Sequence, residues 1–338
     1  MSALAVLWFF LIFVLIAGYF VLDGFDLGAG VLYNVLAKTE SERALVRRSI
    51  GPVWDGNEVW LLTAGGALFA AFPAAYATTF SGFYLAVMLV LFGLIVRAVS
   101  LEFRAHDPHW ARVWDACFTV GSFLPALLLG VALGNVIAGI PMAPNGDYAG
   151  VPLLGLLSPF TLAVGLLGFA MCLAAGAAWV ALKAPEQNQV RLRAKKLGRV
   201  WQAASLAMFA VATVLALAVV KPELAPGMAP LAAAFAIAFA VCIAASAVLA
   251  KKGADLPAFV LQSAAAVCLV ALAAVSLFPN LVVASAGSVG PSITLMNAAS
   301  SDLSLAWMTG IACVGVPLVL VYHVIVYRTF RGRLSEQE

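Results

Sequence analysis

Four carboxylic acids lie inside otherwise apolar sequence. Asp23 and Asp26 stand in the run DGFDLGAG, within the apolar stretch 2–37, and Asp55 and Glu58 stand in WDGNEVW. A carboxylate in hydrocarbon costs about 2.5–3.5 kcal/mol on insertion scales, so such groups face protein or water and mark paths for ions, protons or substrate. Each pair is spaced i,i+3 and shares a helix face. Two carboxyl groups so close in a low dielectric do not both ionise readily, which suits proton uptake and release near neutral pH.

The same four acids also admit a purely structural interpretation. They would then cap helices or pair with nearby arginines, for which the candidates are Arg47, Arg48, Arg97 and Arg104. The residues alone leave this alternative open for any single acid, and their joint placement favours a proton path.

The elements that position these acids are membrane helices. Of the 338 residues 64% are hydrophobic and 10% are charged, with a mean hydropathy of +1.04, whereas soluble domains carry about 25% charged residues. Stretches of about 20 apolar residues span a bilayer. Nine such stretches are predicted, at 5–36, 49–72, 77–101, 113–139, 155–183, 199–220, 229–250, 257–278 and 304–327. The fold class is therefore an all-α polytopic membrane protein.

The distribution of basic residues sets the topology. With nine spans, only Lys221 of the 19 lysines and arginines falls on the outer side. Omitting the second stretch would put Arg104 and Arg112 opposite Lys38 and Arg43, against the positive-inside rule. We therefore expect the N-terminus outside and the C-terminus in the cytoplasm. The basic segment 183–199, interpreted as a loop, divides the chain into a first helical half, 1–183, and a second, 184–338.

This topology brings the acids to one depth. Asp23 and Asp26 lie past the midpoint of the first span, and Asp55 and Glu58 lie in the first turns of the second span. Both positions are in the cytoplasmic half of the membrane, so the first half of the chain is expected to hold an acidic cluster there.

Small and aromatic residues accompany the acids. Gly24 and Gly28 are spaced i,i+4, which allows two membrane helices to approach closely, and we expect the acidic face of the first span to pack against protein. Trp54 and Trp60 flank the second acid pair. They are either interfacial anchors or walls of a cavity beside Asp55, and the sequence does not decide between these roles.

Histidines and common cofactor motifs give little support for a redox centre in this chain. His106, His109 and His323 all fall at or beyond the cytoplasmic edge, so a haem held by two membrane histidines is not expected. No glycine-rich dinucleotide motif, phosphate-binding loop, HExxH or CxxCH occurs. We therefore predict no catalytic, metal-binding or cofactor-binding residues in this chain, and no nucleic-acid partner.

Several long motifs resemble subunit II of the bacterial cytochrome bd-type quinol oxidases. They are DGFDLGAGVL (23–32), GPVWDGNEVWLLTAGGALFAAFPAAYA (51–77), SGFYLAVMLVLFGLIVRAVSLEFR (81–104) and GSFLPALLLGVALGN (121–135), with looser matches at 156–162, 278–280 and 292–305. Glu58 departs from the pattern, because many members have glutamine there.

The resemblance implies a fold, a partner and a role. The fold would be two four-helix bundles plus one extra helix, in the bacterial inner membrane. The partner would be a subunit I that carries two haems b, one haem d and the quinol site, in a complex that oxidises quinol and reduces dioxygen to water. Asp55, with Asp23 and Asp26 nearby, would lie on the cytoplasmic proton route, and Trp60 beside an oxygen tunnel. Some members also hold a structural quinone in subunit II or bind single-helix accessory subunits.

Two other classes of function remain as alternatives. Buried acids with glycine and proline breaks are also typical of secondary transporters, and a membrane subunit can serve assembly alone. A co-purifying partner with haem absorbance would favour the oxidase, whereas a single colourless polypeptide would favour a transporter.

Overall fold

A computed structural model describes residues 2–335, which are mostly helical. The helices are α1 (Ala3–Leu36), α2 (Glu40–Ile50), α3 (Trp54–Ala71), α4 (Pro73–Gly82), α5 (Tyr84–His106), α6 (Ala111–Ala138), α7 (Pro159–Lys183), α8 (Gln189–Leu215), α9 (Met228–Lys251), α10 (Asp255–Leu277), α11 (Leu295–Ala298) and α12 (Asp302–Thr329). A single 3₁₀ turn at Leu154–Leu156 precedes α7, and a π turn at Ala216–Val220 extends α8.

Eight helices of the described chain are long and apolar enough to cross a membrane. They are α1, α5, α6, α7, α8 with its π turn, α9, α10 and α12. This confirms a polytopic helical membrane protein. The predicted second span corresponds to α3, which is not among the eight because Asp55 and Glu58 interrupt its apolar sequence.

Three predicted boundaries differ from the structure. The third span, predicted at 77–101, is divided between α4 and α5, which meet at Phe83. The second span was expected to begin at residue 49, but residues 40–50 form a separate surface helix, α2, which Thr39 and Glu42 cap at its start. A turn at 51–53 then leads into α3. The segment 183–199 was expected to be a loop, but α8 already begins at Gln189, where the Asn188 side chain accepts a hydrogen bond from the Val190 N–H.

Helix α1 is the centre of the packing. It contacts α3, α6, α7 and α10, and its residues 23–30 are all buried. Because α10 packs against both α1 and α7, the second half of the chain lies directly on the first. Helix α12 is peripheral, and Leu305 is its only buried residue.

The two membrane faces differ in composition. One face, here called the basic face, carries α2, the ends of α5, α7, α9 and α12, and the starts of α3, α6, α8 and α10. The opposite face carries a short antiparallel pair of strands, β1 (Asn280–Val282) and β2 (Ile293–Thr294), with Asn280 opposite Thr294. The segment after α6 joins this pair, where the Ile140 N–H donates to the Val283 carbonyl at 2.9 Å.

Candidate functional site

A buried arginine binds two of the predicted acids. Arg97, on α5, is fully buried, and its Nη2 lies 2.5 Å from Asp23 Oδ1 on α1 and 2.7 Å from Glu58 Oε1 on α3. The Asp23 side chain is completely buried, whereas 24% of the Glu58 side chain is exposed. Three helices thus meet at one guanidinium, and Glu58 connects it to the surface.

Asp26 joins the same site through an amide. It is fully buried, and its Oδ2 accepts a hydrogen bond from Asn57 Nδ2 at 2.7 Å. Asn57 also donates to the Leu22 carbonyl at 3.2 Å and accepts from Tyr327 Oη at 3.1 Å. We call Asp23, Asp26, Glu58 and Arg97 the inner cluster.

The inner cluster is not fully hydrogen-bonded by protein. Among the described residues, Asp23 Oδ2, Asp26 Oδ1, and Arg97 Nε and Nη1 are buried and have no hydrogen-bond partner. Buried polar atoms are nearly always satisfied by protein or by ordered water. The site is therefore chemically suited to bound water, which can connect carboxyl groups that do not touch one another.

Close packing of α1 against α7 holds the inner cluster in place. A Cβ on Gly28 would lie 1.8 Å from the Cys172 carbonyl oxygen, so only glycine fits there. Gly176 on α7 is equally restricted by the backbone of Gly28 and Ala29. Gly24 is less constrained, because its Cβ would lie 3.8 Å from Cys172 Sγ, an ordinary contact distance. Of the two glycines predicted to permit close packing, Gly28 is the one at the closest approach.

Asp55 lies outside the inner cluster. It is exposed in the first turn of α3 and forms no hydrogen bond or ion pair with the residues in 2–335. Glu58, one turn further along the same helix, is half-buried and touches Arg97. Of the four predicted acids, the structure brings together Asp23, Asp26 and Glu58 and leaves Asp55 at the basic face, one helical turn from them.

A second charged group, here called the rim cluster, lies where α2, α5 and α6 meet at the basic face. Asp115 Oδ2 lies 2.5 Å from Arg43 Nη1, and its Oδ1 accepts from Arg104 Nε at 2.9 Å and from Tyr33 Oη at 2.8 Å. Glu40 pairs with Arg104 at 2.6 Å and with Arg47 at 3.0 Å. The rim cluster consists of Asp115, Glu40, Arg43, Arg47 and Arg104, and Arg47 also donates to Tyr33 Oη.

Next to the rim cluster, Glu42 ties α2 to α8. Its carboxylate accepts hydrogen bonds from Arg193 and from the backbone N–H of Lys38, at 2.6 Å, and of Thr39, at 3.2 Å. Burial alone would raise the pKa of Glu42, but these donors outweigh it, so the pKa lies below its ordinary value. Glu42 therefore remains ionised at neutral pH and acts as an anchor for α2.

Trp60 lies between α1 and α12. A Cβ on Gly18 would lie 2.2 Å from Trp60 Cε3, so the indole sits directly on the α1 backbone. Its Nε1 donates to His323 Nε2 at 3.2 Å, and His323 Nδ1 lies 2.8 Å from the Val319 carbonyl. Both ring nitrogens of His323 are therefore engaged in hydrogen bonds. Trp54, half-buried at the start of α3, lies two turns away along the helix.

Sequence reasoning did not identify several residues of the site. Arg97 is one of four arginines that the sequence offers as partners of the acids, and only the fold shows that it is the one that binds Asp23 and Glu58. The sequence feature that could have indicated this is its position as a lone arginine inside the apolar run LVLFGLIVRAVSL. Asn57, within the acid motif, was not assigned a role. Tyr327 and His323 had no local signal, because they reach the site from the other end of the chain. Within the described residues, no group of three or more histidines, cysteines or acids could hold a metal ion.

Eight membrane-length apolar helices and an acid–arginine cluster buried among the helices define a polytopic helical membrane protein with ionisable groups in its interior. The family model for cytochrome bd terminal oxidase subunit II matches residues 4–330. The chain belongs to this family, whose relatives are subunits of an oxidoreductase complex in bacterial membranes and therefore have a partner subunit.

Individual relatives agree with this assignment. Subunit 2 of the cytochrome bd-I ubiquinol oxidase of Escherichia coli K12 is 34% identical over a 370-residue alignment, which covers all of this chain and 97% of that protein. Subunit 2 of the cytochrome bd ubiquinol oxidase of Bacillus subtilis 168 is 34% identical over 343 residues, covering all of this chain and 99% of that protein. The fold resembles a chain in the bd oxidase structure from Geobacillus thermodenitrificans, with a TM-score of 0.78 at 16% identity over 97% of this chain and 99% of that one.

Proposed function

We propose that this chain is the non-haem subunit of a quinol:dioxygen oxidoreductase and that it carries protons from the cytoplasm toward a haem-bearing partner subunit. The partner would supply two haems b and one haem d, and would carry out quinol oxidation and dioxygen reduction. The observation that carries the proton route is the inner cluster, in which Asp23 and Glu58 share the Arg97 guanidinium and Asp26 is held nearby by Asn57.

A charge count supports proton exchange there. Arginine is always protonated in proteins, so Arg97 balances one negative charge. If Asp23, Asp26 and Glu58 were all ionised, two charges would remain uncompensated in a low-dielectric site, which is strongly unfavourable. At least one carboxyl group of the inner cluster is therefore expected to carry a proton that it can release and regain.

A route into the inner cluster follows from exposure. Asp55 is exposed at the basic face, Glu58 is half-buried one turn further in, and Asp23 and Asp26 are fully buried. In this proposal a carboxyl group takes a proton from water at the basic face and passes it inward along bound waters, regaining its charge as the proton leaves. Asp55 then serves as the outer acceptor and Glu58 as the link to the buried pair.

The topology of this proposal has nine spans, with the basic face in the cytoplasm and the N-terminus outside. The supporting observation is that α3 has 18 residues, which at about 1.5 Å each gives about 27 Å, close to the thickness of the hydrocarbon core. Reporter fusions after Lys38, which is exposed between α1 and α2, and after Gly150 should report opposite sides of the membrane, because α3, α5 and α6 lie between them. A shared side would contradict the nine-span arrangement, because it would mean that α3 does not cross.

Trp60 and Trp54 are proposed as walls of an oxygen path to the partner subunit. The support is that Trp60 fills the space between α1 and α12, where its indole is fixed by Gly18 and His323. Trp60→Ala should then alter the dependence of turnover on dissolved oxygen more than Trp60→Phe, because the alanine leaves a gap beside Gly18.

The proton route is tested with charge-neutralising variants of the assembled complex. Asp55→Asn and Asp26→Asn keep shape and polarity but remove the titrating group, and Asp147→Asn, exposed on the opposite face, is the control. We expect haem content to be retained in all three. Quinol-driven oxygen consumption should fall in the first two, with a dependence on pH between 6 and 9, and should remain normal in the control.

The outcomes separate the route from the family assignment. Wild-type rates in both variants across that pH range would exclude the proton route while leaving the chain a subunit of the oxidase. A purified chain with no haem-bearing partner would instead contradict the oxidase function itself.

A further inference from the structure

A groove of about 480 Å³ runs between α8 and α9 from the basic face into the membrane region. Its inner wall includes Ile243, which is fully buried, and Leu206 and Ala247 line its sides. From Lys196 to Leu206 the groove follows ten residues of α8, or about 15 Å at 1.5 Å per residue. That is about half of a bilayer's hydrocarbon thickness of about 30 Å, the depth of one leaflet.

Three basic side chains surround the mouth of this groove. Lys196 and Arg199 come from the first turns of α8, and Lys251 comes from the end of α9. All three are exposed, and none forms an ion pair with a carboxylate within residues 2–335. The neighbouring Lys195, by contrast, is paired with Asp255 at 2.8 Å. The mouth therefore has excess positive charge that is not used within the described chain.

A polar atom in the groove wall is also without a partner. Gln202 is buried, and its Nε2 donates to Ser246 Oγ at 3.0 Å and to Gln262 Oε1 at 3.3 Å. Its Oε1 accepts no hydrogen bond among the described residues. Gln202 lines the groove one turn inward from Arg199, so the wall just inside the mouth carries a polar side chain whose oxygen is itself buried.

We propose that this groove binds one anionic phospholipid from the leaflet at the basic face. The phosphate lies among Lys196, Arg199 and Lys251, and one acyl chain follows the apolar groove along Leu206 and Ile243. Basic pockets between membrane helices are suited to such headgroups, because phosphate attracts the cations while the chain fills the apolar part. Neutral prenyl lipids would fit the groove but would leave the three cations unused.

The test is a lipid titration of the purified complex of this chain with its partner subunit. Native mass spectrometry would follow binding of phosphatidylglycerol and of phosphatidylcholine with the same acyl chains. We expect tighter binding of phosphatidylglycerol, and a loss of about tenfold to a hundredfold in its affinity in the triple variant Lys196→Gln, Arg199→Gln, Lys251→Gln. The matched control is Arg112→Gln, Arg328→Gln, Arg331→Gln, which removes the same charge from exposed positions of the basic face outside the groove.

A second variant tests the acyl chain separately from the charge. Ala203→Phe would fill the groove with all three cations kept, and should weaken phosphatidylglycerol binding, whereas Ala234→Phe, exposed near the far end of α9, should not. Equal affinity for the two lipids overturns the proposal. Phosphatidylglycerol binding that is unchanged in the triple variant also overturns it, and this is the result expected if a quinone or another neutral molecule occupies the groove. Binding that is reduced as strongly in the matched control overturns it as well.

Discussion

The inner cluster and the rim cluster are both built from carboxylic acids and arginines, but the acids outnumber the arginines in the first and the arginines outnumber the acids in the second. The inner cluster sets three carboxyl groups against one arginine, and several of its buried polar atoms have no partner in the described chain. The rim cluster sets three arginines against two carboxylates, and both oxygens of Asp115 accept from charged or phenolic donors. Both lie along α1, which contributes Asp23 and Asp26 to one and Tyr33 to contacts with the other.

This difference distinguishes a site for exchange from a site for anchoring. Cationic donors around a carboxylate stabilise its charged form and so disfavour proton binding. Carboxyl groups in excess over cations, beside unsatisfied buried atoms, gain from binding protons and water. We therefore expect substitutions in the inner cluster to change turnover and substitutions in the rim cluster to change stability.

The largest expected effect is loss of the Arg97 charge. Arg97→Gln would leave Asp23 buried without a counter-charge, and removal of one partner of a buried pair costs about 3–5 kcal/mol. The yield of assembled complex and its apparent melting temperature should both fall strongly. The double variant Arg97→Gln, Asp23→Asn should recover part of the yield, because the fully buried Asp23 charge is removed together with its partner and Glu58 is partly exposed, but it should not recover the oxygen consumption. Recovery of both would show that the inner cluster has only a structural role.

A direct contrast between the clusters is given by Asp26→Asn and Asp115→Asn. Asp26→Asn should lower oxygen consumption per haem by about tenfold or more with little loss of complex, because it removes a proton-transfer group while its amide oxygen can still accept from Asn57. Asp115→Asn should reduce stability by about 1.5–3 kcal/mol, because it weakens hydrogen bonds from charged donors, with a normal rate per assembled complex. The two variants are compared by haem-normalised oxygen consumption and by thermal unfolding. If the inner-cluster variant lost stability and the Asp115 variant lost turnover instead, the roles assigned to the two clusters would be reversed.

The packing beneath the inner cluster gives a smaller effect. Gly28→Ala would place a methyl group against the Cys172 carbonyl and push α1 from α7, at a cost of about 1–3 kcal/mol. Gly24→Ala is the matched control, because its methyl group has room beside Cys172 Sγ. Thermal unfolding of the two variants should differ clearly. Equal stability would mean that α1 and α7 can separate without disturbing the cluster.

The smallest effect concerns pH at the edge of the rim cluster. Because the folded pKa of Glu42 lies below its unfolded value of about 4.3, its contribution to stability is fully present above that value. It is lost as the pH falls through the folded pKa. Glu42→Gln should therefore lower the melting temperature at pH 7, and the difference from the wild type should shrink below about pH 4. A constant difference across that range would indicate a packing effect rather than a charge effect.

The sequence predicted the class of the protein because apolar length is a local property. Eight of the nine predicted spans correspond to helices that could cross a membrane, and the acid motifs correctly indicated buried charge at Asp23 and Asp26. The surface helix α2 was not predicted, because most of it falls between the predicted spans 5–36 and 49–72 and it is too short and too polar to register as a span. Contacts between helices could not be predicted from local sequence either. Nothing in the sequence around Arg97, for example, indicates which acid it binds.

Residues near the end of α12 complete the inner cluster, although that helix is otherwise peripheral. Tyr327 donates to Asn57, which holds Asp26, and these two partners are 270 residues apart in the chain. Membrane proteins are inserted from the N-terminus as the ribosome releases them, so the buried acids enter the bilayer long before the tyrosine that closes their network. We expect an unfinished chain to hold these acids in an incomplete setting, and the last helix to act as the closing step of biogenesis for the whole site.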